Sequence, residues 1–280
     1  MYLSTKNNMS EHSIPTPKSQ LNLQEWWITA TLIAVNVGLF IWQVLQGMNI
    51  TEPTTMDAIK WGADYAPLSF LAEPIRLFTS MFFHFGLIHL MLNMWALYIF
   101  GNVSEQLFGR LYFIGLYVLA GLGGSLLSGY ISIQDSYELI RLGQPEPSLY
   151  PSVGAGASGA VMGLGAALTL LSLLPPLPQQ RFILDRKTLL IVMGLNLVMG
   201  FSISGINNAA HIGGMMMGAV MAAAWYLAQK TTWTVLAQSI ALLLGMLLCY
   251  AAYQYCLYLI VDIAPFWKEL AQWILDKQNA

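Results

Sequence analysis

Seven stretches of mostly apolar residues, near 26–45, 81–101, 111–131, 153–174, 188–204, 207–228 and 235–261, dominate this chain of 280 residues. Crossing the hydrocarbon of a bilayer takes ~20 such residues. Lipid offers no partner to an unpaired backbone N–H or C=O, so each stretch must close its own hydrogen bonds as a helix. The composition agrees, with 56% hydrophobic and 9% charged residues, against roughly a quarter charged in soluble domains. The chain reads as an all-α, polytopic membrane protein. Its 12 Lys+Arg against 14 Asp+Glu leave no basic surface to meet nucleic acid. Cys249 and Cys256 are seven apart in one apolar run, ~10 Å along a helix and beyond disulfide reach.

The first 25 residues are polar, with Lys6, Pro15, Pro17 and Lys18 and no small-residue cleavage site, so the first span is expected to remain as an anchor. Residues 26–228 then form a six-helix core behind the N-terminal tail 1–25. Residues 229–263 hold a polar linker and a seventh spanning helix, and 264–280 form a short C-terminal tail. With the N-terminus in the cytoplasm, the inner segments hold Lys6, Lys18, Arg110, Arg181, Arg186, Lys187 and Lys230, and the outer ones Lys60, Arg76, Arg141, Lys268 and Lys277. That excess, with Arg181, Arg186 and Lys187 crowded into one short loop, orients the N-terminus inward. The lack of a basic amphipathic targeting segment favours a bacterial inner membrane. The outer segment 46–80 carries Ile59, Trp61, Tyr65, Leu68, Phe70 and Leu71 and is expected to lie partly in the membrane interface. The tail Pro265–Lys277, with Phe266, Leu270, Trp273 and Ile274 on one face, reads as an interfacial helix.

Polar groups at membrane depth are costly and point to function. The second span opens with His84, His89 and Asn93, the last two four apart and so on one helix face. They read either as helix-to-helix polar contacts or as donors aimed inward. The fourth span opens with Gly154-Ala155-Gly156-Ala157-Ser158-Gly159. Its small residues permit close helix packing, and they would also leave the Ser158 hydroxyl uncovered beside free N–H groups. The sixth opens with Asn207-Asn208, then His211, with Gly214 and Gly218 forming a close-packing stripe behind it. Spans two, four and six all enter from the outer side, so Ser158, His211, His89 and Asn93 are expected at one depth. A serine hydroxyl needs a base to take its proton, and an oxyanion needs fixed donors. No Asp or Glu lies within the apolar stretches of spans four or six, so the reading is a Ser158–His211 dyad. His89, Asn93 and the Ser158 amide serve as donors, and His84 helps to retain water. Glu105, just past the second span, caps the next segment or pairs with Arg110.

Taken together, Arg76, His84-xxxx-His89-xxx-Asn93, Gly101-xxx-Glu105-xxx-Gly109, Gly156-Ala157-Ser158-Gly159 and Ala210-His211-Ile212-Gly213-Gly214 closely resemble the rhomboid family of intramembrane serine proteases, over about 61–220. The resemblance implies a six-helix rhomboid-like core with a sunken active site. Ser158 would be its nucleophile and His211 its general base, with His89 and Asn93 in the oxyanion hole and His84 at the water-filled cavity. It implies membrane-anchored protein substrates, cut near the outer end of a transmembrane helix, and neither metal nor cofactor. The seventh span resembles the six-plus-one layout of some bacterial members. Two positions depart from the pattern: Ile75 precedes Arg76 where many members have Trp, and Met162 stands where many place an aromatic ring. A thioether packs against an imidazole, and activity is expected to survive. Competing readings are a non-catalytic relative that binds membrane proteins, and a transporter, against which no inverted repeat appears. A zinc protease lacks its H-E-x-x-H.

Overall fold

The computed structural model describes residues 25–177, 184–202 and 207–279. The N-terminal tail up to residue 24, Arg181, the last two residues of the expected fifth span and Ala280 lie outside the described residues. The first span is α1 (Trp27–Leu45). Three short helices follow it: α2 (Thr55–Lys60), α3 (Ala66–Leu71) and α4 (Arg76–Thr79). The remaining elements are α5 (Leu87–Phe108), α6 (Arg110–Leu142), α7 (Ser158–Leu173), α8 (Arg186–Ser202), α9 (Asn208–Ala228), α10 (Thr234–Leu259) and α11 (Ala264–Asn279). Two short strands, β1 (Asp64–Tyr65) and β2 (Val153–Gly154), pair antiparallel, Asp64 opposite Gly154 and Tyr65 opposite Val153. The protein is an all-α, multi-pass membrane fold with six core helices and a seventh, α10, on the flank.

At the centre is α7, which packs on α6, α9, α5 and α8 and buries most of its length. By contrast α10 rests on α6 and α9 and turns Leu243, Leu244, Leu247 and Tyr250 outward, as a helix facing lipid does. Three expected boundaries move. The second span begins at Leu87, not 81, because the Leu87 N–H is tied to the Ile50 carbonyl (2.8 Å) and a 3₁₀ turn occupies Ser80–Phe82. His84 therefore lies in the turn before the helix, fully buried. The third span runs over 33 residues, about 50 Å at 1.5 Å per residue, because its C-terminal extension is packed rather than solvated: Ile133, Ser136 and Leu139 are buried there. The fourth helix starts only at Ser158, since Val153 and Gly154 pair with β1.

The segment 46–80 folds into a cap of its own. Thr54 and Asp57 close a capping box on α2. The Arg76 guanidinium donates from Nη1 to the carbonyls of Ile59 (2.7 Å) and Ala63 (3.2 Å) and from Nε to Glu73 (2.8 Å), tying α2, β1 and α4 together. Facing it, Asp64 is buried and accepts from the Ser69 hydroxyl at 2.5 Å. The tail is helical, as expected, but its buried stripe is Trp267, Ala271 and Ile274, while Trp273 faces outward. The stripe follows i, i+4, i+7 because α11 lies on α3 and α2. At the opposite end, Glu105 caps α1 rather than the following segment: its carboxylate accepts from Ile28 N (3.1 Å), Thr29 N (2.8 Å) and Thr29 Oγ1 (2.8 Å). An anion there meets the positive end of the helix dipole. The neighbouring Arg110 guanidinium lies over the Trp27 ring at 5.6 Å.

Two outcomes follow. Glu105→Ala leaves buried N–H groups without an acceptor and should cost about 2–4 kcal/mol, read as a lower thermal-shift midpoint. Burial raises the Asp64 carboxyl to about 6, against the pull of Ser69 and Arg76. The folded state thus holds this proton more tightly than the unfolded chain. The resulting stabilisation is full below the ordinary carboxylate range and is lost as pH rises through about 6. Asp64→Asn should therefore raise the thermal midpoint at pH 7.5 by more than at pH 5, and equal gains at both would refute the assignment.

Candidate active site

The inner wall of the site is a seam between two helices. A Cβ on Gly214 would run into the carbonyl of Gly159, and one on Gly218 into that of Gly163. The backbones of α7 and α9 consequently approach as closely as glycine permits. Ser158 is the first residue of α7, one before Gly159 in this seam. On the α9 side, Asn207 is the N-cap, its Oδ1 accepting from Ala210 N (2.9 Å), and His211 follows directly. A Cβ at Gly159 would stand 3.3 Å from the Ala210 carbonyl, so Ser158 and His211 flank one contact between helix starts. His211 is buried, and its Nδ1 makes no hydrogen bond among the described residues.

The opposite wall comes from α5 and the turn before it. His89 Nδ1 accepts the Phe85 N–H at 3.1 Å. A neutral imidazole that accepts at Nδ1 carries its proton on Nε2, so the His89 ring presents an Nε2–H donor. That nitrogen faces Gly156, where an added Cβ would lie 3.1 Å from it and 3.9 Å from Asn93 Nδ2. One hydrogen of Asn93 Nδ2 goes to the His89 carbonyl (2.9 Å), leaving the second available. The His84 and His89 rings lie 5.3 Å apart, and His84 Nε2 meets the N–H of Ala157 at 3.5 Å. His84, His89 and Asn93 thus line the stretch Gly156–Ser158, and His211 follows Ala210, whose carbonyl faces Gly159.

Two contributors escaped the sequence reading. The Gly156 N–H donates to the Ser80 carbonyl (2.9 Å), and β1 holds Val153 and Gly154. Together they pin the loop that delivers Ser158. Neither leaves a local signature, since one uses a main-chain carbonyl and the other strands of two residues. Asn207, by contrast, was legible as a helix opening and also donates to Ser128 Oγ at 2.6 Å.

A family model, the Rhomboid domain, matches residues 71–230. The chain belongs to the rhomboid family. That family comprises intramembrane serine proteases. The chain is 29% identical over 223 residues to Rhomboid protease AarA of Providencia stuartii, covering 75% of this chain and 76% of AarA. It is 32% identical over 197 residues to Rhomboid protease GluP of Bacillus subtilis (strain 168), covering 70% of this chain but 34% of GluP. It is also 28% identical over 221 residues to the mitochondrial RHOMBOID-like protein 6 of Arabidopsis thaliana, covering 69% of this chain and 66% of that protein. The matched rhomboid segment contains α5 to α9 and stops before α10 and α11.

Because the α7–α9 seam has no room for a side chain, Gly214→Val should destabilise the fold by about 1–3 kcal/mol or more. Gly194→Val on α8, whose Cβ meets open space, should stay within about 0.5 kcal/mol of the parent. Thermal-shift midpoints of the two variants measure the contrast.

Proposed function

We propose that this rhomboid is an intramembrane serine endopeptidase working through a Ser158–His211 dyad. The observation that carries the reading is the α7–α9 seam, which has Ser158 and His211 on either side of one glycine contact, with the Nε2–H of His89 facing the same loop. As Ser158 Oγ attacks the substrate carbonyl carbon, its proton passes to His211 Nε2. The carbonyl oxygen becomes an oxyanion. The donors available to it are the Ser158 N–H, which an α-helix leaves without an internal partner at its first turn, His89 Nε2–H and the second hydrogen of Asn93 Nδ2. Each such donor is worth ~2.7–4 kcal/mol. When the intermediate collapses, the C–N bond breaks and His211 returns its proton to the leaving nitrogen. Water, activated by His211, then hydrolyses the acyl-enzyme and restores the Ser158 hydroxyl. His84 lines the water-filled cavity that supplies it.

The substrates on this reading are transmembrane proteins, cut within or beside a membrane-spanning helix. An intact helix keeps its carbonyls hydrogen-bonded, so segments that unwind at the outer end of the span are favoured. We further propose residence in a bacterial inner membrane, with the N-terminus cytoplasmic and the site opening outward. The support is the basic residues of the inner segments, Arg110, Arg186, Lys187 and Lys230 among them.

A fluorophosphonate probe on the purified protein tests the dyad without knowledge of the substrate. Labelling should map to Ser158, vanish in Ser158→Ala and fall by at least about 10³-fold in His211→Ala, with thermal midpoints close to the parent. His89→Ala should retain labelling but lose about 10²–10³-fold in cleavage of a model transmembrane substrate. A folded parent that resists both this probe and a smaller serine reagent would favour a non-catalytic binding role.

A further inference from the structure

The C-terminal helix α11 lies beyond the matched rhomboid segment, and none of its residues belongs to the dyad or its donors. Its contacts nonetheless lead to the serine. Trp267 is wholly buried, and its Nε1–H donates to Ser136 Oγ at 2.9 Å on the C-terminal extension of α6. Its ring leans on Phe70 of α3, with centroids 6.3 Å apart, and Phe70 stacks on Tyr253 of α10 at 5.6 Å. Further along the same face, Ala271 and Ile274 join Ile59, Tyr65 and Leu68 in a small core separate from the main one, with Val153 packed against it. Tyr65 and Val153 are partners in the β1–β2 ribbon. The tail helix, seated on α3 and α2, therefore shares a core with Tyr65 and Val153 of the ribbon, from which the chain continues through Gly156 to Ser158.

A ribbon of two residues per strand has little stability of its own and must be held by what packs on it. Nucleophile geometry is sensitive to displacements of about 1 Å. We propose that α11 positions the serine-bearing loop, with Trp267 and Ile274 as its positioning residues: Trp267 anchors the helix to α6 and α3, and Ile274 completes the core beneath the ribbon. This rests on the reading of Ser158 as the nucleophile for its consequence in catalysis, but the ordering of residues 153–158 by α11 is measurable by itself.

The test uses the full-length protein in nanodiscs, with two readouts taken well below the lowest thermal midpoint. One is amide hydrogen exchange of the segment 153–160, and the other is the second-order rate of fluorophosphonate labelling. Ile274→Asp, which puts a charge into the small core, should speed exchange of that segment at least about tenfold and slow labelling roughly ten- to hundredfold. Trp267→Phe keeps the ring but not the bond to Ser136 and should slow labelling roughly threefold. Phe108→Ala is the stability control. It removes a ring packed on Tyr112 and Trp225 at the other end of the bundle, and it should lower the midpoint while leaving both readouts at parent values. If Ile274→Asp does not fold, Ile274→Ala replaces it with smaller effects in the same directions. Unchanged exchange in the Ile274 variant overturns the proposal, as does an equal change in Phe108→Ala at a matched midpoint. If the parent itself is never labelled while the exchange difference persists, the protease reading falls and the positioning role of α11 stands.

Discussion

The approach of α7 to α9 governs the rest of the molecule. Lipid gives two apolar helices no hydrophobic reason to associate, so close backbone packing must supply the adhesion. The carbonyls of Gly159 and Gly163 occupy the space that side chains at 214 and 218 would need. Other helices repeat the device around this pair: a Cβ at Gly124 of α6 would stand 2.6 Å from the Ala210 carbonyl. The residues beside the seam, Ser158 and His211, sit at helix starts that this glycine contact brings together and that the hydrogen bonds of Gly156 and Asn207 then fix. Adhesion and juxtaposition share one set of glycines.

Polar groups then finish what the glycines begin, each by serving main-chain atoms that lipid cannot. Glu105 takes up the first amides of α1, and Arg76 takes up carbonyls of the cap over 46–80. Tyr112 donates to the Met221 carbonyl at 2.7 Å, and Tyr137 to the Leu259 carbonyl at 2.6 Å, linking α6 to α9 and to the end of α10. Described ion pairs are few, Arg76–Glu73 and Arg141–Glu138, and both are local. A chain with so few charges spends them where helix ends and bends leave the backbone open.

Much of this was legible in the sequence because membrane helices announce themselves by length and apolarity. His89 and Asn93 share a face by helical period alone, and the Asn207 cap and the Gly214–Gly218 stripe are local patterns. What escaped was non-local. Glu105 finds its partners 76 and 77 residues away, so the neighbouring Arg110 and the next segment looked like the natural choices. His84 was counted into a helix that the tie between Leu87 and Ile50 delays. The ribbon of Asp64–Tyr65 with Val153–Gly154 is too short to leave an alternating pattern. The buried stripe of α11 left no signature of its own, because Trp267 and Trp273 are equally apolar in sequence, and only the partner surface on α3 decides which is covered.

The length of α7 sets a scale. Sixteen residues make about 24 Å of helix, some 6 Å less than the usual hydrocarbon thickness. On the proposed topology, a helix this short leaves its first residue, Ser158, below the outer boundary of the hydrocarbon. A substrate helix, by contrast, floats with the lipid and tilts or rises as the bilayer thickens. On the proposed mechanism, the bond that meets Ser158 then depends on the mismatch between a fixed internal ruler and a variable solvent. Bilayer thickness becomes a determinant of cleavage position, and membranes of different lipid composition would lead one enzyme to cut one substrate at different residues.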